Sequence, residues 1–404
     1  VKAYHPRFKA VNTLNHKDLP RLWYSSAVRI LVDYRPALRE RTGVGEFVHE
    51  LVKALSERTK RDGNDQLAIF TSSWKDRPVA SLASEMPSVR VVDVRIPVRA
   101  LLWGWNRVEW PPVEWFAGTQ DVVHSQSPLL IPTAAAQVVT IHDLDFLRHP
   151  DQMSAEIRRD YPALARSHAA RADGVIVSSN YAAGEVIREL QLDPSRVHTC
   201  PPGRPVWADE VCRRRGATGY RGKHILFMGT LSLRKNVGTL LEAYARLRAE
   251  NTGAPPLVLA GHRTPASARW EARSEQPPLK GHVTITGYVD SARKIDLYAD
   301  AAMLVLPSYE EGFGLPVLEA MACGVPVIVS NRGSLPEVAG AATEPIDPDD
   351  VAGFARAMAA VIAGDPRASV ERGIAQAAKY SWPSCAAAAH DAYQSAIEVH
   401  ARRH

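Results

Sequence analysis

From Val28 the chain alternates short β-branched runs with longer stretches whose apolar positions recur at helical spacing. VRILVD, LAIFT, VRVVDV, DVVHS, VVTIHD and GVIVSS form one series, and HILFMG, PLVLAG, VTITGYV, AAMLVLPS and VPVIVS form a second. Helices are predicted between the runs, among them one over roughly Val44 to Arg58 and one from Val237 to Glu250. Strand-helix alternation of this kind predicts an α/β fold, each series a parallel sheet with helices on both faces. The proline-rich stretch Pro201-Pro202-Gly203-Arg204-Pro205 separates the two series, so two doubly wound domains are expected to meet at a linker near 203–221. In such sheets ligands bind outside the carboxyl ends of the strands, which places a ligand between the two facing domains. The expected divisions are an N-terminal extension (1–26), a first domain (27–205), a second domain (206–385) and a final alanine-rich helix (386–404). That helix either crosses back to the first domain or packs on the second.

With 404 residues, 46% of them hydrophobic, the chain has material for more than one core. The net charge of +5 is mildly basic, and its densest runs, Arg213-Arg214-Arg215 and Arg402-Arg403, are too scattered for nucleic acid. They read as a solvated basic face, although a phosphorylated substrate or an anionic membrane surface also fits. The four cysteines show no CxxC spacing, so reduced thiols are expected rather than a zinc site or a disulfide framework. No stretch approaches the ~18 apolar residues that span a bilayer, and a soluble, cytoplasmic protein is expected, with association at the inner membrane face left open. LLWGWNRVEWPPVEWF (101–116) concentrates Trp103, Trp105, Trp110 and Trp115 beside Arg107. Core packing, sugar stacking and a lipid-facing role all suit such a stretch.

The stretch EGFGLPVLEAMACGVPVIVS (311–330) carries the densest candidate chemistry. Gly312 and Gly314 permit a sharp turn, and Pro316 suits the first turn of a helix. Gly314, Leu315 and Val317 would then present N–H groups at a helix N-terminus, an anion site reinforced by the dipole. Glu319, expected in the first helical turn, gains about 0.3–1 kcal/mol from the dipole alone; it would also accept two hydrogen bonds from a vicinal diol. Glu311 is expected in the turn, facing the cleft.

Glu311 and Glu319, with seven residues between them, resemble the E-x7-E signature of the retaining GT-B glycosyltransferases of family 4. The resemblance extends to SLPEVAG (334–340) with Asp347-Pro348, FMGTLSLRKNVGTLLEA (227–243), RTGVGEFVHEL (41–51) and VVTIHDLDFLRHP (138–150), and covers roughly residues 28–395. It implies a GT-B fold of two facing Rossmann-like domains and retaining hexosyl transfer without a metal or cofactor. The donor would be a nucleoside-diphosphate sugar and the acceptor a saccharide or lipid-linked saccharide. It assigns catalytic roles to Glu311, His142 and Lys235. Donor binding falls to Arg234, Lys235, Glu319, Gly312, Phe313, Gly314, Leu315, Gly43, Gly45 and, at the base, Val289. Some members carry Gly-Arg where this chain has Gly229-Thr230, which leaves Arg234 and Lys235 more of the phosphate charge. Asp143 and Asp145 form a DxD spacing, discounted as a metal site because the resemblance implies a fold that holds its diphosphate with basic residues and helix dipoles instead. The motifs look most like those of mannosyltransferases of bacterial surface-polysaccharide assembly, which favours GDP-mannose over a UDP-sugar. Two rivals stand beside this reading: a glycoside hydrolase or phosphorylase using Glu311 and Glu319, and a non-catalytic sugar-nucleotide-binding module.

Overall fold

A computed structural model describes residues 27–38, 41, 43–63, 65–74, 76–78, 81–150 and 155–404; the expected extension 1–26 lies outside them. Two parallel sheets organise the chain. The first contains β1 (Arg29–Asp33), β2 (Gln66–Ser72), β3 (Arg90–Val94), β4 (Val122–Ser125), β5 (Ala136–Thr140), β6 (Gly174–Val177) and β7 (Val197–Thr199), in the order β3-β2-β1-β4-β5-β6-β7. The second contains β8 (His224–Met228), β9 (Leu257–Ala260), β10 (Val283–Gly287), β11 (Ala301–Leu306) and β12 (Val327–Val329), in the order β10-β9-β8-β11-β12. Central strands are covered on both faces, so they are apolar along their whole length: Leu31 pairs with Ala68 on one side and Val123 on the other, all three buried. All eleven apolar runs form strands. β7 is additional, a half-buried Val-His-Thr with no apolar run to announce it.

Strand order reverses between β1 and β4 in the first sheet and between β8 and β11 in the second. Chains leaving these neighbouring strands diverge to opposite faces and open a crevice at their carboxyl ends.

The region expected as a linker is largely helical. Ala208 and Val211 of the helix Ala208–Ala217 join the second core. The same helix corrects the reading of the basic run, because Arg215 is 2% exposed while Arg213 and Arg214 face solvent. Its guanidinium donates to the carbonyls of Gly324, Tyr298, Ala299, Ala301 and Tyr220.

The final helix, Trp382–Arg403, is capped by Ser381, whose Oγ accepts from the Ser384 N–H at 3.2 Å. Cys385, Ala386, Ala389, Ala392, Tyr393 and Ala396 recur at helical spacing and share a core with β1 and the helix Gly43–Asp62 of the first domain. Tyr393 meets buried His124 at 2.8 Å, and the other ring nitrogen of His124 meets Thr140 at 2.7 Å. No helix among the described residues is long and apolar enough to cross a membrane.

Candidate functional site

Glu311 sits in the turn after β11 and is 5% exposed. One of its oxygens accepts from Lys235 Nζ at 2.5 Å and from Ser308 Oγ at 2.7 Å; the other lies 3.7 Å from Arg234. Burial alone would push this carboxyl up, but Lys235 and Arg234 outweigh it and hold Glu311 below the ordinary carboxylate value. Burial pulls the Lys235 ammonium down, against the attraction of Glu311. Arg234 and Lys235 stand just before the helix Val237–Glu250. They occupy a separate 3-10 turn, Leu233–Lys235, which ends at Asn236 in the left-handed region before the helix Val237–Glu250 begins. That turn aims both cations across the carboxyl ends of β8 and β11.

The two domains close on each other at Gly312. A Cβ there would lie 1.8 Å from the His142 carbonyl oxygen, so only glycine admits the first domain's backbone at this distance. The Gly312 carbonyl in turn accepts from the hydroxyls of Ser178 and Ser179, at 3.2 and 2.6 Å. His142 packs edge-on against Phe47 with centroids 5.3 Å apart, and burial pushes its imidazole down to about 4. Its Nε2 is buried without a hydrogen-bond partner within the protein. Asp143 and Asp145 lie beyond the end of β5, Asp145 as the first residue of the short helix Asp145–Arg148. Both approach Arg234, at 3.5 and 3.6 Å. Arg148, in the same segment, reaches Glu310 of the second domain at 2.9 Å.

Glu319 belongs to the second turn of the helix Leu315–Ala322, not the first. Lys294 Nζ donates to one of its oxygens at 2.9 Å and Tyr298 to the other at 2.7 Å. Gly314 caps this helix with φ 95°, a conformation that favours glycine. The Val317 N–H, expected to face a ligand, is taken by the Gly314 carbonyl at 2.9 Å. Glu319 borders a cavity that Gly43 and Glu46 line from the first domain, and Gly229, His262, Val289 and Leu315 from the second. Lys235 joins the two clusters, since its Nζ would lie 3.6 Å from a Cβ on Gly229. His262 and Tyr288 stack at 4.9 Å and 27° along the cavity wall.

Of the expected site residues, Glu311, Lys235, Arg234, His142 and Gly312 form one cluster, while Glu319, Leu315, Gly43 and Val289 surround the adjoining cavity. Gly314 caps the helix between them. Gly45 packs on Pro36 and Phe313 against Tyr380, so neither lines the cavity. Sequence reasoning missed Lys294, Tyr298, Ser308, Arg148 and His262, the partner on which Tyr288 stacks beside Val289. Lys294 and Tyr298 are four apart on the helix Ser291–Asp300, a spacing that stacks them on one face.

Two facing doubly wound domains, with carboxylate–cation clusters where their strand ends meet, define a protein of the GT-B class. The chain matches the family "Glycosyltransferase Family 4" over residues 41–207 and "Glycosyl transferases group 1" over residues 213–379. It is 32% identical over 268 residues to O-antigen chain mannosyltransferase B of Escherichia coli, spanning 64% of this chain and 70% of that protein. It is also 32% identical over 227 residues to the serotype-specific mannosyltransferase WbdA of Escherichia coli, spanning 54% of this chain but only 28% of that one. The chain belongs to the GT-B glycosyltransferases of family 4. Among solved structures, sucrose-phosphate synthase from Thermosynechococcus elongatus superposes with a TM-score of 0.68 at 20% identity, over 91% of this chain and 98% of that one. Anabaena HepE in complex with UDP and glucose gives 0.65 at 16% identity, over 91% and 100%.

Proposed function

We propose that the protein transfers mannose from GDP-mannose, with retention of configuration, to a saccharide or lipid-linked saccharide acceptor. The observation that carries this reading is Glu311, buried and held ionised by Lys235 and Arg234, one residue from the glycine on which His142 closes. In this reading the donor diphosphate lies between Lys235, Arg234 and the N-terminus of the helix Leu315–Ala322, whose charges stabilise the leaving group as the glycosidic bond breaks. A diphosphate oxygen takes the acceptor hydroxyl's proton on the same face, so no protein nucleophile is required and orientation supplies much of the rate. Glu311 accepts from hydroxyls of the transferred sugar, and His142 Nε2 gains a partner there. The ribose diol bonds the remaining lone pairs of Glu319, since a carboxylate has about four acceptor sites and Lys294 and Tyr298 use two. The base rests beside Val289 along the His262–Tyr288 stack.

Metal independence belongs to the same proposal and is supported by Arg234, whose guanidinium lies 3.5 and 3.6 Å from Asp143 and Asp145 and supplies the positive charge beside them. The hydrolase reading is disfavoured because that chemistry needs one carboxyl of the pair free to donate a proton, and each is engaged by a lysine, Glu311 by Lys235 and Glu319 by Lys294. The mannose preference is supported by the two mannosyltransferase relatives, and the functional division is 27–205 for acceptor and 206–385 for donor, with the return helix tying them. The anomeric configuration of the product made from GDP-mannose, read by NMR with and without chelator, tests the whole reading. A retained anomer at an unchanged rate is expected; an inverted product, or hydrolysis of glycosides in the absence of nucleotide, contradicts it.

A further inference from the structure

SLPEVAG (334–340) shares the family resemblance, yet the cleft chemistry described so far uses none of it. The segment forms the short helix Leu335–Ala339, whose Leu335, Val338 and Ala339 are buried in the second core. Ser334, just before it, donates its N–H and its hydroxyl to the Glu311 carbonyl at 3.1 and 3.0 Å. Further along, the Glu337 carbonyl accepts from Gln376 Nε2 at 3.3 Å and from the Tyr380 hydroxyl at 3.4 Å. Tyr380 in turn lies where the chain crosses between the domains, its own carbonyl accepting from the Arg204 N–H at 3.2 Å. The backbone of this segment is therefore fixed to the turn that carries Glu311 on one side and to the interdomain crossing on the other.

The Glu337 side chain reaches out of its own domain. One oxygen accepts from the backbone N–H and the Nδ2 of Asn180, both at 3.0 Å, and the other from the Tyr181 N–H at 3.0 Å. Asn180 and Tyr181 open the helix Asn180–Leu190 of the first domain. Two N–H groups that no helical carbonyl can serve, at the positive end of the dipole, are thus met by a carboxylate from the second domain. Ser179 caps the same helix: its Oγ accepts from the Ala182 N–H at 3.0 Å while the hydroxyl donates to the Gly312 carbonyl. Tyr181 adds another contact, its hydroxyl donating to Glu310 at 3.1 Å beside the Arg148–Glu310 pair. The run Ser178 to Tyr181 therefore holds the second domain at Gly312, Glu310 and Glu337 together. Glu337 and Tyr181 are half-buried and Asn180 is exposed, so water can replace these bonds and the contact can open.

We propose that Glu337 is a positioning residue: docked on the helix Asn180–Leu190, it sets the closed width of the cleft and so holds the turn of Glu311 against His142. The effect on rate rests on the transfer reading above; the width is read without substrate, which separates a failed donor assignment from a failed contact. The test is small-angle X-ray scattering of the full chain and of Glu337→Ala, Glu337→Gln and Tyr181→Phe, with melting curves and GDP release from GDP-mannose followed alongside. Glu337→Ala is expected to shift the radius of gyration upward while melting like the parent, since its carboxylate bonds across the cleft. GDP release at saturating donor should slow at least about tenfold, because small misplacements at a reacting centre are costly. Glu337→Gln keeps an acceptor for Asn180 but loses the charge, and should fall between Glu337→Ala and the parent in both width and rate. Tyr181→Phe loses only the bond to Glu310 and should be milder than Glu337→Ala. An unchanged radius of gyration in Glu337→Ala overturns the proposal, whether or not its melting temperature falls, and so does a widened variant that releases GDP at the parent's rate.

Discussion

Removing one member of a buried ion pair strands the other. Glu311→Ala leaves Lys235 Nζ without its 2.5 Å partner, so stability should fall by about 3 kcal/mol in urea unfolding. Glu311→Gln, which retains an acceptor for Ser308, should cost less while still losing transfer. Glu311→Ala combined with Lys235→Ala should cost less than the sum of the single changes, since the double variant buries no lone charge. Three histidines set the acid limit in a different way. Burial, with minor charge effects, pushes His124 to about 3 and His142 and His49 to about 4, below the ordinary 6.5. With native values lowered, the unfolded chain takes up protons first. The stabilisation is therefore complete above about pH 6.5 and is lost as pH falls towards 4. The urea midpoint should decline between pH 7 and pH 5, and His124→Gln should reduce that decline. At this scale the sequence exposed Glu311, Lys235 and His142 because a motif surrounds each. Lys294 and Tyr298 stayed hidden, since a lysine and a tyrosine on an amphipathic helix look the same whether they face solvent or a carboxylate.

Elements carry the next set of consequences. The helix Ala208–Ala217 holds the second domain through Arg215, whose guanidinium serves five carbonyls. Arg215→Met keeps much of the volume but leaves those acceptors unpaired and should destabilise by about 3 kcal/mol, read as a lower melting temperature. Arg214→Met, one position away and exposed, should change little. Three adjacent arginines give no hint of this difference; helix phase and packing select the one that turns inward. Strands were legible for the opposite reason, because a run covered on both faces must be apolar. β7 escaped because an edge strand of three residues has no such requirement. In the tryptophan segment the sequence left the role of each ring open, because which ring faces the sheet depends on where the helix Val98–Val108 docks.

For the whole molecule, the decisive feature is that both switch points open towards each other and Gly312 sets the distance. Gly312→Ala places a Cβ 1.8 Å from the His142 carbonyl and must push the domains apart. Transfer should fall by at least about a hundredfold, because a misplacement near 1 Å costs that much, while each domain keeps its fold by circular dichroism. The two-domain plan and the carboxylate motif were readable along the chain. Contacts across the cleft, such as Arg148 with Glu310 and Arg234 with Asp143 and Asp145, were not, because they depend on how one domain is turned against the other. The cleft itself is tested most directly by calorimetric titration of GDP-mannose into the full chain and into Lys235→Ala. One-to-one saturable binding is expected, adding about 2.7 kcal/mol of stability at a hundred times the dissociation constant, with affinity at least about tenfold weaker in the variant. Absence of binding, or equal affinity in Lys235→Ala, would contradict the assignment of this cleft to a nucleoside-diphosphate sugar.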